Sequence, residues 1–307
     1  MWQKGKYLLP YRKMDILPQL IANSIIAGAI YTMVALGFNL IYGTVKFFDL
    51  GYGALTAVGG YSVFWLAKTL GLPLLPSIVI GVIIAGVVGV VAERLIYLPL
   101  RKRQSSSMVM LVASLGFFTA LQAVIAMIFT SQFQTLTRGG GASRVLEIAV
   151  PGFASTAVIT YVQASILVTG IAIMVLLALF LKYTKFGKAM KAVADDEEVA
   201  KIVGVNTDKV IMAVFFIGSA IAGLAGILVG LDTGIEPTMG LSLLLKGVIA
   251  AIVGGIGNVY GGVLGAFLLG FVENFGIWKI SGEWKDAIAF GLLIIFLLFR
   301  PQGILRK

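Results

Sequence analysis

The sequence predicts an all-α polytopic membrane protein of about eight or nine transmembrane helices with an inverted repeat. Three observations carry this. First, 59% of the 307 residues are hydrophobic and 12% charged, roughly half the charged fraction of a soluble domain, and the mean hydropathy is +1.00. Second, several apolar runs reach about 18 residues or more, the length a helix needs to cross a bilayer. Third, short Gly-interrupted apolar segments occur in both halves, the pattern of inverted repeats around a midplane pathway. A β-barrel would show short alternating segments instead.

The elements follow in order. Residues 1 to 15 form a tail carrying Lys4, Lys6, Arg12 and Lys13. The first span, Leu17 to Tyr42, is too long for a signal-peptide core and reads as uncleaved. A link from Gly43 to Asp49 leads to the Gly-rich piece GYGALTAVGGYSVFWLAKTLG. Pro73 and Pro76 mark a turn. A third span ends near Leu98, with Glu93 and Arg94 close to its end. Arg101, Lys102 and Arg103 follow it as an inner-side marker. The fourth span covers Met108 to Thr130. Residues 131 to 155, polar and Gly-rich with few charges, suit an external loop. The fifth span covers Ala157 to Leu181. After a polar loop come Lys209 to Leu231, Leu241 to Ile256, Gly262 to Trp278 and Asp286 to Phe299, and Arg300, Arg306 and Lys307 close the chain. No polar stretch is long enough for a soluble domain. Residues 1–307 therefore form one transmembrane domain, with the loop 183–208 inside it.

That loop, KFGKAMKAVADDEEVAKIVGVN from Lys185 to Asn206, carries much of the charge. Asp195 is placed to cap a helix, with Glu198 three positions on, a variant of the capping-box spacing. Asp196 and Glu197 would put negative charge on the first turn, where the helix dipole favours it. Val199, Ile202 and Val203 form an apolar stripe at helical spacing. Gly204 stands where a left-handed C-cap is expected. The segment reads as a short capped helix, entered from a basic arm of Lys185, Lys188 and Lys191. Its stripe either docks on another protein or packs on its own chain.

Composition excludes several functions. The net charge of +10 comes from residues clustered beside apolar runs, a topology signal and not a nucleic-acid surface. Zero Cys and zero His leave no thiol chemistry and no thiolate or imidazole metal site. The run GGIGNVYGGVLG, from Gly254 to Gly265, opens no βαβ unit and is not a dinucleotide fingerprint. There is no Walker A loop, and no nucleophile–base pair stands out. Lys246 and Glu273 are the deepest charges by position. Each is either part of a pathway or a local arrangement: snorkelling for Lys246, a hydrogen bond within the bundle for Glu273. Asp49, Asp232 and Glu236 read as loop residues. So few mid-span carboxylates count against a proton- or sodium-coupled carrier.

Two topology rules conflict. Nine spans with basic loops inside put the N-terminal tail outside, although the tail itself is basic. A re-entrant Gly51 to Leu70 would give eight spans. The nine-span arrangement is the expectation, because an inverted repeat needs the first span to oppose its partner after the polar loop.

Four stretches, in order, resemble one family over nearly the full length. GFNLIYGTVKFFDLGYGALTAVGGY and KGVIAAIVGGIGNVYGGVLGAFLLGFVE look like its two Gly-rich elements. KAMKAVADDEEVAKIVGVN looks like its coupling loop, and RPQG, from Arg300 to Gly303, like its C-terminal signature. The family is that of the branched-chain amino-acid ABC importer permeases, the LivH type. A departure falls at Asp49, Leu50, Gly51, Tyr52, Gly53 and Ala54, where the family usually reads N-F-A-H-G-E. Urea and short-chain amide permeases share most of the pattern, and a carrier or channel not driven by ATP is the competing class.

The resemblance implies a multi-pass subunit of the plasma (inner) membrane with no cofactor and no enzymatic activity of its own. Its partners would be a second permease, paralogue or copy, two cytoplasmic ATP-binding subunits, an extracytoplasmic substrate-binding protein and membrane lipid. The coupling loop would act through Gly187, Ala192, Asp195, Glu198, Ala200 and Gly204. The path for branched-chain or other hydrophobic amino acids would involve Asp49, Tyr52, Gly53, Gly59, Lys246, Gly254, Gly255, Gly257 and Glu273.

Overall fold

The structure is a computed structural model that describes residues 16–136, 145–149, 156–278 and 280–305. The basic tail and the last two residues lie outside these. Helices dominate in the order α1 (Leu17–Val45), α2 (Gly51–Val63), α3 (Leu74–Ala92), α4 (Leu98–Lys102), α5 (Ser107–Phe129), α6 (Tyr161–Tyr183), α7 (Lys185–Asp195), α8 (Glu197–Ile202), α9 (Thr207–Asp232), α10 (Met239–Gly254), α11 (Val259–Gly276) and α12 (Lys285–Phe299). Among the described residues, six helices are long and apolar enough to cross a membrane, and α10 is a shorter apolar helix. The chain is a multi-pass α-helical membrane protein.

Glycine serves two different ends in the two Gly-rich elements. Glycine leaves α2 unbroken, and the helix continues through a π-helical stretch, Phe64–Thr69. What glycine does there is bring backbones together: Gly59 lies on Gly223, and Gly226 on the Thr56 carbonyl. Lipid tails are as apolar as leucine, so such close van der Waals contact is what holds membrane helices to one another. In the second element the helix does break. α10 stops at Gly255, with φ 115°, Gly257 follows at φ 79°, and Asn258 caps α11.

The loop expected at 131–155 contains structure. Val145–Ala149 (β1) pairs antiparallel with Thr156–Thr160 (β2), where β-branched residues recur in TAVIT. Residues 137–144 and 150–155 of that loop lie outside the described residues. Gln19 at the start of α1 donates to the Val158 carbonyl at 3.0 Å and accepts from its amide at 2.8 Å, fixing α1 under the hairpin. Thr160 and Gln163 form a capping box that starts α6.

α1 and α9 are mostly buried at the centre, whereas α3, α5 and α6 form an outer ring with much smaller buried fractions. The ring exposes Val79, Ile83, Val87, Val112 and Leu176, as a lipid-facing surface requires. Close approaches fix the helix directions. α11 runs antiparallel to α1, with Gly270 on the Ser24 carbonyl, Gly28 on Phe267 and Gly262 on Asn39. α1, α3, α6, α10 and α12 run from the hairpin end to the α7–α8 end, and α2, α5, α9 and α11 run back.

The segment from Arg300 to Leu305 returns to α10. Ile304 and Leu305 donate their amides to the carbonyls of Val253 (2.9 Å) and Gly254 (3.0 Å). These carbonyls end a helix and would otherwise be unpaired. Gly303, with φ 77°, packs directly on Gly255 and makes the turn.

Candidate functional site

At one end of the molecule stand α7 and α8. The basic arm of the sequence is itself helical, because the Thr184 hydroxyl caps α7 by accepting from the Gly187 amide at 2.9 Å. The cap of α8 is Asp196, and this corrects the expectation of Asp195. The Asp196 carboxylate accepts from the amides of Glu198 (2.8 Å) and Val199 (3.0 Å). Asp195 is the last residue of α7, since the Asp196 amide still bonds the Ala192 carbonyl at 3.0 Å. The C-terminus follows expectation. Gly204 has φ 86°; its amide meets the Lys201 carbonyl at 3.0 Å, and Val205 meets Ala200 at 2.9 Å, a Schellman motif.

Ala200 and Gly187 face inward, whereas Ala192, Asp195 and Glu198 are exposed. The stripe is exposed too: Val199 54%, Ile202 82% and Val203 70%. Among the described residues, it does not pack on its own chain.

An ionic network that the sequence did not reveal ties this end to the bundle. Arg101 lies 3.0 Å from Glu93 and 3.1 Å from Asp208, at the start of α9. The Glu93 side chain has no exposure and sits in a π-helical turn, Glu93–Tyr97, that joins α3 to α4. At the far end of that turn the Tyr97 hydroxyl donates to Asp49 at 2.7 Å. Asp49 is in the α1–α2 link, as expected, but is fully enclosed at 2% exposure. Burial pushes its carboxyl up to about 6, against the pull of Tyr97 and of the amides of Gly51 and Tyr52. Tyr52, also buried, donates to the Val34 carbonyl at 3.0 Å.

The predicted path glycines take different places. Gly53 packs on the Gly240 carbonyl and Leu244, Gly59 on Gly223, and Gly254 on Gly261; Gly255 faces the Leu305 carbonyl. Gly257 donates its amide to Asn39 Oδ1 at 3.0 Å and lines a cavity of about 320 Å³ with Lys191 and Asp195.

Lys246 and Glu273 come together. The Lys246 ammonium lies 3.6 Å from Glu273 and 3.2 Å from Asp286. Lys285 approaches Glu273 at 3.6 Å, and the Tyr31 hydroxyl donates to it at 2.6 Å. Glu273 is enclosed, so these partners are what make its burial tolerable. Lys246, Lys285 and Tyr31 line a second cavity of about 440 Å³, near the hairpin end.

A multi-pass helical bundle with an exposed capped helix at one end and a charged cavity toward the other is the arrangement of a membrane transport subunit. The comparisons give the particular family. Residues 20–297 match the family described as branched-chain amino acid transport system / permease component, and the chain belongs to it.

It is 32% identical over 299 residues to the high-affinity branched-chain amino acid transport system permease protein BraD of Pseudomonas aeruginosa, covering 94% of this chain and 95% of BraD. It is 32% identical over 305 residues to the corresponding protein LivH of Escherichia coli K12, covering 93% and 94%. A solved structure, PsaBC from Streptococcus pneumoniae in complex with Fab, shares the fold with TM-score 0.50 at 14% identity, covering 94% of each chain.

Proposed function

We infer that this chain is the membrane-spanning permease subunit of an ATP-driven importer of the plasma (inner) membrane. It forms the path for branched-chain or other hydrophobic amino acids with a second permease, two cytoplasmic ATP-binding subunits and an external binding protein. The observation that carries the coupling role is α8. A six-residue helix is too short to persist on its own. This one is capped at both ends, yet its apolar stripe is left exposed. An apolar patch held rigidly in solvent is a docking surface, here for a cytoplasmic ATPase.

The same reading takes nine spans with the N-terminus outside. The alternating helix directions support it, as does the basic cluster Arg101–Arg103 at the α7–α8 end. An inverted repeat pairs α1, α2, α3 and α5 with α9, α10, α11 and α12, each running opposite to its counterpart. The packing supports this too: α1 packs on α11 as α9 packs on α3, and α2 packs on α9 as α10 packs on α1.

The test is leucine uptake into vesicles holding this chain with its four partners. Ile202→Asp combined with Val203→Asp should abolish ATP-driven uptake and stimulated ATPase without affecting insertion. Wild-type uptake by that double variant would remove the docking role. A cysteine placed at Gln3 should react with an impermeant reagent from outside intact cells; labelling only after permeabilisation would refute nine spans.

A further inference from the structure

The cavity of about 440 Å³ near the hairpin end is not explained by packing. Its walls carry both signs of charge. Asp232, the last residue of α9, stands on one element; Lys246 of α10 and Lys285 of α12 stand on others. The lysines are held from behind. Glu273, with no exposure, lies 3.6 Å from each, and Asp286 takes Lys246 at 3.2 Å. Their ammonium groups are therefore positioned before any ligand arrives. Asp232 takes part in none of these ion pairs, and its carboxylate is hydrogen-bonded by Gln163. Between the charges the lining is mixed: Ile26, Ile30 and Leu243 form an aliphatic part, and Asn23, Ser242 and Asn274 a polar one.

This combination selects a chemical class. A half-buried carboxylate and half-buried ammonium groups favour a ligand that supplies the opposite charge to each. A neutral amide or sugar would desolvate them and return too little, and a site built around charged groups rejects ligands that lack the partner group. A simple amine would satisfy Asp232 alone, and a fatty acid only the lysines. A zwitterion with an aliphatic side chain satisfies all three, and the volume is within the range of small-molecule sites.

We propose that this cavity is a binding site, within the permease itself, for the zwitterionic head of an α-amino acid. Asp232 receives the α-ammonium, Lys246 and Lys285 receive the α-carboxylate, and the aliphatic wall receives the side chain. The proposal rests on the importer reading above and deepens it. The permease then checks the head group of what the binding protein delivers, and urea or a short amide is not its cargo.

The experiment uses the full complex in proteoliposomes with leucine-loaded binding protein. It measures radiolabelled leucine uptake and ATP hydrolysis in parallel, and assembly by co-purification. Asp232→Asn keeps the side-chain volume and disturbs none of the ion pairs. Lys285→Gln, at a position 32% exposed, is the second variant, and the thermal midpoint of each purified complex separates a folding defect from a loss of binding. Each should lower leucine transported per ATP at least tenfold while assembly and stimulated ATPase stay within twofold of wild type. Leucine per ATP within twofold of wild type in both variants overturns the site and leaves the importer reading intact. Absence of ATP-driven leucine uptake by the wild-type complex overturns that reading, and the site falls with it.

Discussion

Replacing Arg101 with alanine should destabilise the fold more than any other single loss of charge at the α7–α8 end. The side chain is 16% exposed and lies between Glu93, with no exposure, and Asp208, at 41%. The two halves of this arrangement are unequal. The Asp208 contact is near solvent and is worth about 0–1 kcal/mol. The Glu93 contact is enclosed, and removing one partner of such a pair costs about 3–5 kcal/mol, because the carboxyl left behind must hold its charge unpaired or take up a proton. For a chain of this size each kcal/mol moves the thermal midpoint by roughly 2–4 °C. Arg101→Ala should thus lower the midpoint of the detergent-solubilised protein by about 6 °C or more. Asp208→Asn should lower it by no more than about 4 °C. The combination Glu93→Gln with Arg101→Gln should recover most of the loss, since it leaves two neutral groups able to hydrogen-bond. An Arg101→Ala midpoint within about 2 °C of wild type, as read by tryptophan fluorescence, would refute the reasoning. So would equal losses from Arg101→Ala and Asp208→Asn.

The two adjacent aspartates separate cleanly. Asp196→Ala should cost α8 about 0.5–2 kcal/mol and raise amide exchange at Glu198 and Val199, whereas Asp195→Ala should leave those amides unchanged. Among the glycines, Gly226→Ala would drive a β-carbon into the Thr56 carbonyl and should cost about 1–3 kcal/mol or prevent accumulation; Gly116, with nothing within 4 Å, should accept alanine with no loss of thermal midpoint. Asp49 titrates higher in the folded protein, at about 6, than in the unfolded chain. Its contribution is therefore full below about pH 4 and lost as pH rises through about 6. The stability of wild type relative to Asp49→Asn should fall by up to about 3 kcal/mol across that window, and a flat difference in thermal midpoint would show that Asp49 stays ionised.

The sequence made the helices legible through long apolar runs bounded by caps, and most observed boundaries fall within a few residues of the predicted ones. It could not decide which of two consecutive aspartates leaves the helix. Both can accept a capping bond, and only the backbone at Asp196, with φ −152°, settles the matter. Nor could it tell two uses of glycine apart. Gly59 serves contact within a continuous helix, and Gly255 serves a conformation that other residues avoid. The second hairpin strand, TAVIT, runs straight into the apolar stretch of α6, and the predicted fifth span, starting at Ala157, absorbed it. Lys246 and Glu273 stood out because charge is rare in apolar runs. Asp286 and Lys285 did not, because they sit at a span edge where charge is ordinary. The Arg101 network joins residues 107 positions apart, and no periodicity encodes that.

The returning segment from Arg300 to Leu305 has a consequence for the order of assembly. The last carbonyls of α10 find their partners in Ile304 and Leu305, which the ribosome adds only after α11 and α12. Until then the end of α10 must be held by water or by the insertion machinery. The turn at Gly255 is thus closed by a stretch that is made after α12. Translation that stalls before Ile304 would leave a bundle with most of its helices in place and one helix terminus unsealed.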